Sequence, residues 1–238
     1  MNRLLLPVGL IVMALAGCGG GGGGSSIGGV YGSTLVYVLG FETRTGSALQ
    51  SDIFFLTCSN GRDVYNFQTD TVLIKFKAET IKDALGNPVT QNPSPVAFTR
   101  YKVSFLSASP TNNCERYPDC RQLMAGGYEG LVGFSVHPES PEGRFERQYA
   151  NGDEVRIEIK KGESIQEITV VPSSWKSNTL VNYCTTVLDN CLYNGVIEFY
   201  GRELYSGKEK VVRVPFTVQF ADFPKGSPYG SFTDTPCQ

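Results

Sequence analysis

Alternating apolar and polar positions dominate the chain. In the stretch 153–160, Val155, Ile157 and Ile159 fall on one face, with Glu154, Arg156, Glu158 and Lys160 on the other. A period of two predicts a half-buried β-strand. Lys161-Gly162-Glu163 reads as its turn and 165–171 as the returning strand, with Asn151-Gly152 as a turn on the other side. The longest clean alternation is Val212, Val214, Phe216, Val218 and Phe220. Pro215 lies inside it and has no N–H to give a ladder, which predicts an edge or a bulge there. Further strands are expected over 34–38, 53–57, 71–77, 100–106, 131–136 and 196–200, separated by Gly, Pro and Asn clusters. A single short helix is expected over 78–85, ending at Gly86. Many strands and little helix predict an all-β, antiparallel sandwich or barrel spanning 31–238. Two smaller sandwiches split near 140–152 are the alternative.

The amino terminus departs from this pattern. Arg3 precedes an uncharged, mostly aliphatic run over 4–16. That is the layout of a secretory signal peptide, and it falls short of the roughly 20 residues a spanning helix needs. The run ends in Leu15-Ala16-Gly17-Cys18, which resembles the lipobox of bacterial lipoproteins. The resemblance implies a signal peptide over 1–17, cleavage before Cys18, and acyl chains on that cysteine that hold the protein to a membrane. Gly19 is not the Asp that commonly retains lipoproteins in the inner membrane. By the same resemblance the outer membrane is favoured, facing periplasm or cell surface. Residues 18–30 are almost all Gly and Ser after the cysteine. Their composition predicts a flexible tether with an end-to-end distance of roughly 20 Å.

Export changes how the cysteines read. With Cys18 acylated, six remain: Cys58, Cys114, Cys120, Cys184, Cys191 and Cys237. An even number in an exported chain points to disulfides, although counting leaves many connectivities open. Proximity suggests Cys114 with Cys120 and Cys184 with Cys191, each stapling a loop, and elimination leaves Cys58 with Cys237. Zinc sites favour closer pairs and several histidines, whereas His137 is the only histidine here.

Charge and candidate chemistry then narrow the function. Loss of Arg3 leaves 20 basic residues against 23 acidic ones. No basic patch suggests nucleic acid as a partner. His137 lacks a second histidine, and Ser135 lies outside a Gly-x-Ser-x-Gly elbow, so no catalytic residue, metal site or cofactor is assigned. The acidic stretch Glu139, Glu142, Glu146, Asp153 and Glu154 is interleaved with Arg144 and Arg147 and reads as a solvated loop rather than a calcium site. The 14 Phe and 12 Tyr are strand and core formers, and Trp175 is either a ligand platform or a plug. The segment 114–120 is the best candidate for a displayed contact, because a short disulfide preorganises Arg116 and Tyr117.

The stretch Gly195-Val196-Ile197-Glu198-Phe199-Tyr200-Gly201-Arg202-Glu203-Leu204, the strand after it and Phe220-Ala221-Asp222-Phe223 resemble the ending of a group of uncharacterised Gram-negative lipoproteins. Arg100-Tyr101-Lys102-Val103-Ser104-Phe105 is similar to a mid-domain strand of that group. The resemblance implies an immunoglobulin-like sandwich and no particular activity. The expectation is therefore a non-enzymatic envelope lipoprotein, structural or protein-binding, with an envelope protein as partner. A carbohydrate or small-ligand module, with a concave pocket of aromatic rings, is the alternative.

Overall fold

The computed structural model describes residues 32–42, 48–148, 154–223 and 235–237. Cys18, the lipobox, the whole tether over 18–30 and the Asn151-Gly152 turn lie outside the described residues. In chain order the elements are β1 (Thr34–Glu42), β2 (Ala48–Asp52), β3 (Phe55–Ser59), β4 (Arg62–Asn66), β5 (Asp70–Thr80), β6 (Val96–Ser107), helix α1 (Pro118–Gly126), β7 (Tyr128–Val136), β8 (Gly143–Gln148), β9 (Glu154–Ile159), β10 (Glu163–Val171), helix α2 (Ser173–Asn178), β11 (Leu192–Glu203) and β12 (Glu209–Ala221).

Two sheets carry the core. One runs β2-β12-β11-β6-β7 and the other β1-β5-β10. Strands from both sides of 140–152 share each of them. The alternation seen in sequence becomes the inner faces. Val72, Ile74, Phe76 and Ala78 of β5 are buried, as are Val212, Val214, Phe216, Val218 and Phe220 of β12. Phe76 meets Phe199 at 5.0 Å and Phe98 at 5.8 Å between ring centroids, which joins the sheets face to face. The Tyr101 hydroxyl also crosses the gap and donates to the Thr169 carbonyl at 2.9 Å. The result is an all-β, sandwich-like arrangement.

Several details differ from the sequence reading. β2 pairs with β12 in parallel, at Thr217↔Ala48 through Ala221↔Asp52. Pro215 therefore sits on the half of β12 that β2 leaves uncovered, where a missing donor costs nothing on that side. The helix expected over 78–85 is absent. β5 continues to Thr80 because Ala78 belongs to its buried row, and Asp83 then closes a turn by accepting the N–H groups of Leu85 and Asn87, both at 2.9 Å. Helices form instead at α1, where Pro118 occupies the first turn, and at α2. The acidic stretch is not all loop, since β8 forms within it and pairs with β9.

The sandwich has two poles. β12 is 13 residues long, about 40 Å at ~3.3 Å per residue. One pole gathers Gly32, Ser33, the turn after β5 and the β11–β12 turn. Glu203 ties it together: Oε1 accepts from the N–H groups of Ser33 at 2.9 Å and Thr34 at 3.1 Å. The opposite pole holds α1, α2 and the loop before β11.

Candidate functional site

Disulfides join Cys58 to Cys237, Cys114 to Cys120 and Cys184 to Cys191. These are the pairs that spacing and elimination suggest. All three lie toward the pole opposite Gly32, where β2 leads into the β3–β4 hairpin and where β6 ends and β11 begins.

The loop between β6 and α1 is organised from its backbone outward. Asn112 accepts from the Cys114 N–H at 3.1 Å through Oδ1, and its amide donates to the Leu192 carbonyl at 3.2 Å. A single 3-10 turn, Cys114–Arg116, then leads into α1. Cys120, in the first turn of α1, reaches back to Cys114 with a Cα separation of 5.2 Å. The loop before β11 is closed by Cys184 and Cys191, with a Cα separation of 5.7 Å. Within it, the Asp189 carboxylate accepts from the Thr186 N–H at 2.8 Å.

The two staples are one structure. The sulfurs of Cys114, Cys120 and Cys184 lie within 4.8 Å of one another, and these three cysteines and Cys191 are all buried. Asn113 donates its amide to the Tyr183 carbonyl at 2.8 Å and its N–H to the Asp189 carbonyl at 2.9 Å. The Tyr193 hydroxyl donates to Glu115 at 2.9 Å. Burial first, and then the Glu115 carboxylate, push the Tyr193 phenol far up from its ordinary value. Soft cations bind thiolates, so sulfurs committed to disulfides are not a donor set.

On this frame Arg116 and Tyr117 both reach solvent. The Tyr117 ring stacks on Tyr183 at 4.2 Å between centroids. The Tyr183 hydroxyl donates to Asp119 at 3.0 Å, and that carboxylate raises the Tyr183 pKa. Val187 and Leu188 are exposed on the second loop, Leu188 with 84% of its surface in solvent. The arrangement can present a fixed apolar and cationic surface. Aromatic and Arg anchors on a preorganised loop bind with little ordering cost.

The other candidates resolve differently. His137 Nδ1 accepts from the Glu139 N–H at 3.1 Å, which places the proton on Nε2, 3.0 Å from the Pro93 carbonyl. Both ring nitrogens thus serve the backbone, and neither is offered to Ser135. Glu139 pairs with Lys161, Glu146 with Arg144 at 3.6 Å, and Glu154 with Arg156 at 2.8 Å. These carboxylates are spread along a hairpin and its flank, each with its own cation. Trp175 lies against Phe105 and Tyr128, with centroids 5.8 and 6.3 Å away, and acts as a partly buried plug. A cleft of about 820 Å³ on the far side is lined by Leu35, Val36, Lys77, Glu79 and Lys210 among others, with no aromatic ring in its wall.

Two buried ion pairs went unnoticed in the sequence. Lys176 on α2 donates to the Asp70 carboxylate at 2.8 Å and to the Asp52 carbonyl at 2.6 Å, while Ser51 donates to the other Asp70 oxygen at 2.5 Å. Lys210 meets Glu203 at 3.1 Å and donates to the Thr34 carbonyl at 2.9 Å. A signal for half of each pair was present. Asp70 extends the inward row of Val72, Ile74 and Phe76, and Lys210 extends that of Val212 and Val214. Nothing comparable marks Lys176 or Glu203. In comparison with known proteins, the chain matches no protein-family profile and no curated protein.

Proposed function

We propose that the protein is a lipid-anchored envelope protein that presents its stapled pole to a protein partner and catalyses no reaction. The reading includes export, cleavage before Cys18, acylation there, and placement in the outer membrane with an immunoglobulin-like sandwich at the end of a tether. The observation that carries the binding role is the pair of adjacent buried disulfides that hold Arg116, Tyr117, Val187 and Leu188 on one end of the fold. Two covalent staples act within one small region. Their effect is to remove conformational freedom before contact, which lowers the entropy lost on binding. Tethering adds to this by confining the surface to the membrane plane and raising its effective concentration for an envelope partner.

The experiment is site-specific photocrosslinking in intact cells. A photoreactive residue at Tyr117 or Leu188 is expected to give one discrete adduct, weakened by Arg116→Glu. The same group at Leu131, exposed on β7, is the control. Adducts no stronger at 117 and 188 than at 131 contradict the proposal.

A further inference from the structure

The pole where the described chain starts exposes apolar surface of its own. Leu85 is 86% exposed, Tyr205 74%, Val89 58% and Leu204 52%. They project from two neighbouring turns. Val89 and Tyr205 line one hollow together with Gly32. The Val89 N–H donates to Ile81 at 2.9 Å, the Ile81 N–H donates to Ser33 at 3.0 Å, and the Tyr205 N–H donates to the Ser94 hydroxyl at 2.9 Å. Neither turn is slack. Asp83 closes the first through the N–H groups of Leu85 and Asn87. Glu203 closes the second, accepting from Ser206 at 2.6 Å. Rigid turns hold these side chains out in solvent. Exposed Lys82 and Lys208 flank them. The nearby acids are Glu209; Asp83, drawn into its own turn; Glu203, paired with Lys210; and Glu79 and Glu139, which share a cleft with Lys82 and are engaged by Tyr37 and Lys161 respectively.

We propose that this pole rests on the membrane surface, with Leu85, Val89, Leu204 and Tyr205 at the boundary of headgroups and acyl chains, and Lys82 and Lys208 directed at anionic phosphates. The inference rests on the reading of Cys18 as a lipid anchor. The Gly- and Ser-rich composition between Cys18 and Gly32 predicts a reach of roughly 20 Å, against a sandwich about 40 Å long. Gly32 is part of this pole. The pole therefore stays within reach of the lipid while the stapled pole points away. Apolar tips with flanking lysines at such a distance gain by entering the interface. One geometry then serves both ends, since seating this pole directs Tyr117 and Leu188 outward.

The test uses full-length protein as recovered from bacterial membranes, reconstituted in phosphatidylethanolamine and phosphatidylglycerol vesicles that contain spin-labelled phospholipid. A fluorescent amino acid replaces Leu85, Tyr205 or, as the far-pole control, Leu188. Quenching several-fold greater at 85 and 205 than at 188 is expected. Equal quenching at all three sites overturns the proposal, as does none at 85 and 205. Emission that follows protein density in the bilayer also overturns it and assigns the patch to a second copy of the chain. The mass of the amino-terminal peptide, read on the same sample, reports the anchor separately. Unquenched labels on an acylated protein remove the membrane-facing pole and leave the anchor. Quenched labels on a protein without acyl chains do the reverse.

Discussion

Tyr117 lies flat on Tyr183, with ring centroids 4.2 Å apart and planes 20° from parallel. The first ring belongs to the loop closed by Cys114 and Cys120. The second directly precedes Cys184. The stack therefore couples two stapled loops at the surface, above the buried disulfides, each of which closes one loop. An aromatic pair of this kind contributes about 1 kcal/mol beyond its buried area. A double-mutant cycle with Tyr117→Ala and Tyr183→Ala is expected to show a coupling of about that size in urea unfolding. Additive effects would mean the loops are held together without the stack, by the Asn113 hydrogen bonds and the buried packing.

The three disulfides should differ in weight. Cross-linking limits the unfolded chain more when it closes a longer loop. Cys58 and Cys237 are 179 residues apart, and Cys114 and Cys120 are six apart. Chain entropy puts their contributions at about 5 and about 2 kcal/mol. The Cys58→Ala/Cys237→Ala variant is expected to lose more stability in equilibrium unfolding than Cys114→Ala/Cys120→Ala. The second variant is expected to lose more partner binding, because its loop carries Arg116 and Tyr117.

Lys176 pins α2 to the sandwich through Asp70 and the Asp52 carbonyl. Burial raises the Asp70 pKa, and Lys176 and Ser51 oppose that rise. Removal of one partner strands a buried charge. Lys176→Met is expected to cost about 3–5 kcal/mol at neutral pH. Lys176→Met combined with Asp70→Asn is expected to recover much of that loss, since no full charge is then left unpaired. Thermal unfolding of the two variants side by side measures the difference.

Acid should weaken the fold through two other carboxyls. Burial works to raise the pKa of Glu203, but Ser206, the Thr34 N–H and Lys210 outweigh it and hold the group below 4.5. The same balance, with Lys75 and the Lys160 N–H as the lowering partners, holds Glu163 below 4.5. A carboxyl with a folded pKa below its unfolded value binds fewer protons in the native state. Its stabilisation is complete above about pH 4.5 and is lost as pH falls through the folded value. Tm is therefore expected to be level with respect to these groups above pH 5 and to drop below 4.5. Glu203→Gln is expected to start from a lower Tm at pH 7, because Lys210 loses its counter-charge, and to fall less steeply in acid. Parallel acid limbs for both proteins would contradict the role given to Glu203.

Local patterns in the sequence proved informative where one physical constraint acted alone. The rows of β9 and β12 are visible as alternation because one face of each strand is more buried than the other. The short-range cysteine pairs are visible because six or seven residues of separation leave few other partners in reach. The region 78–85 misled for a related reason. Ala, Glu and Lys suit a helix on composition, yet Ala78 and Thr80 are claimed by β5 through tertiary packing. The parallel β2–β12 pairing has no local signature, since it depends on where a distant edge is left open. The same holds for the stapled pole. Its residues are separated by some 70 positions in sequence, and only the adjacency of β6 and β11 in one sheet brings Asn113 to Tyr183 and Asp189.

The proposed orientation of the molecule depends on acylation of Cys18. Mass spectrometry of the amino-terminal peptide from membrane-extracted protein tests it directly. The expected result is a chain that begins at Cys18 and carries acyl mass on that residue. A chain that retains Met1, or one whose Cys18 is unmodified or disulfide-bonded, would contradict it.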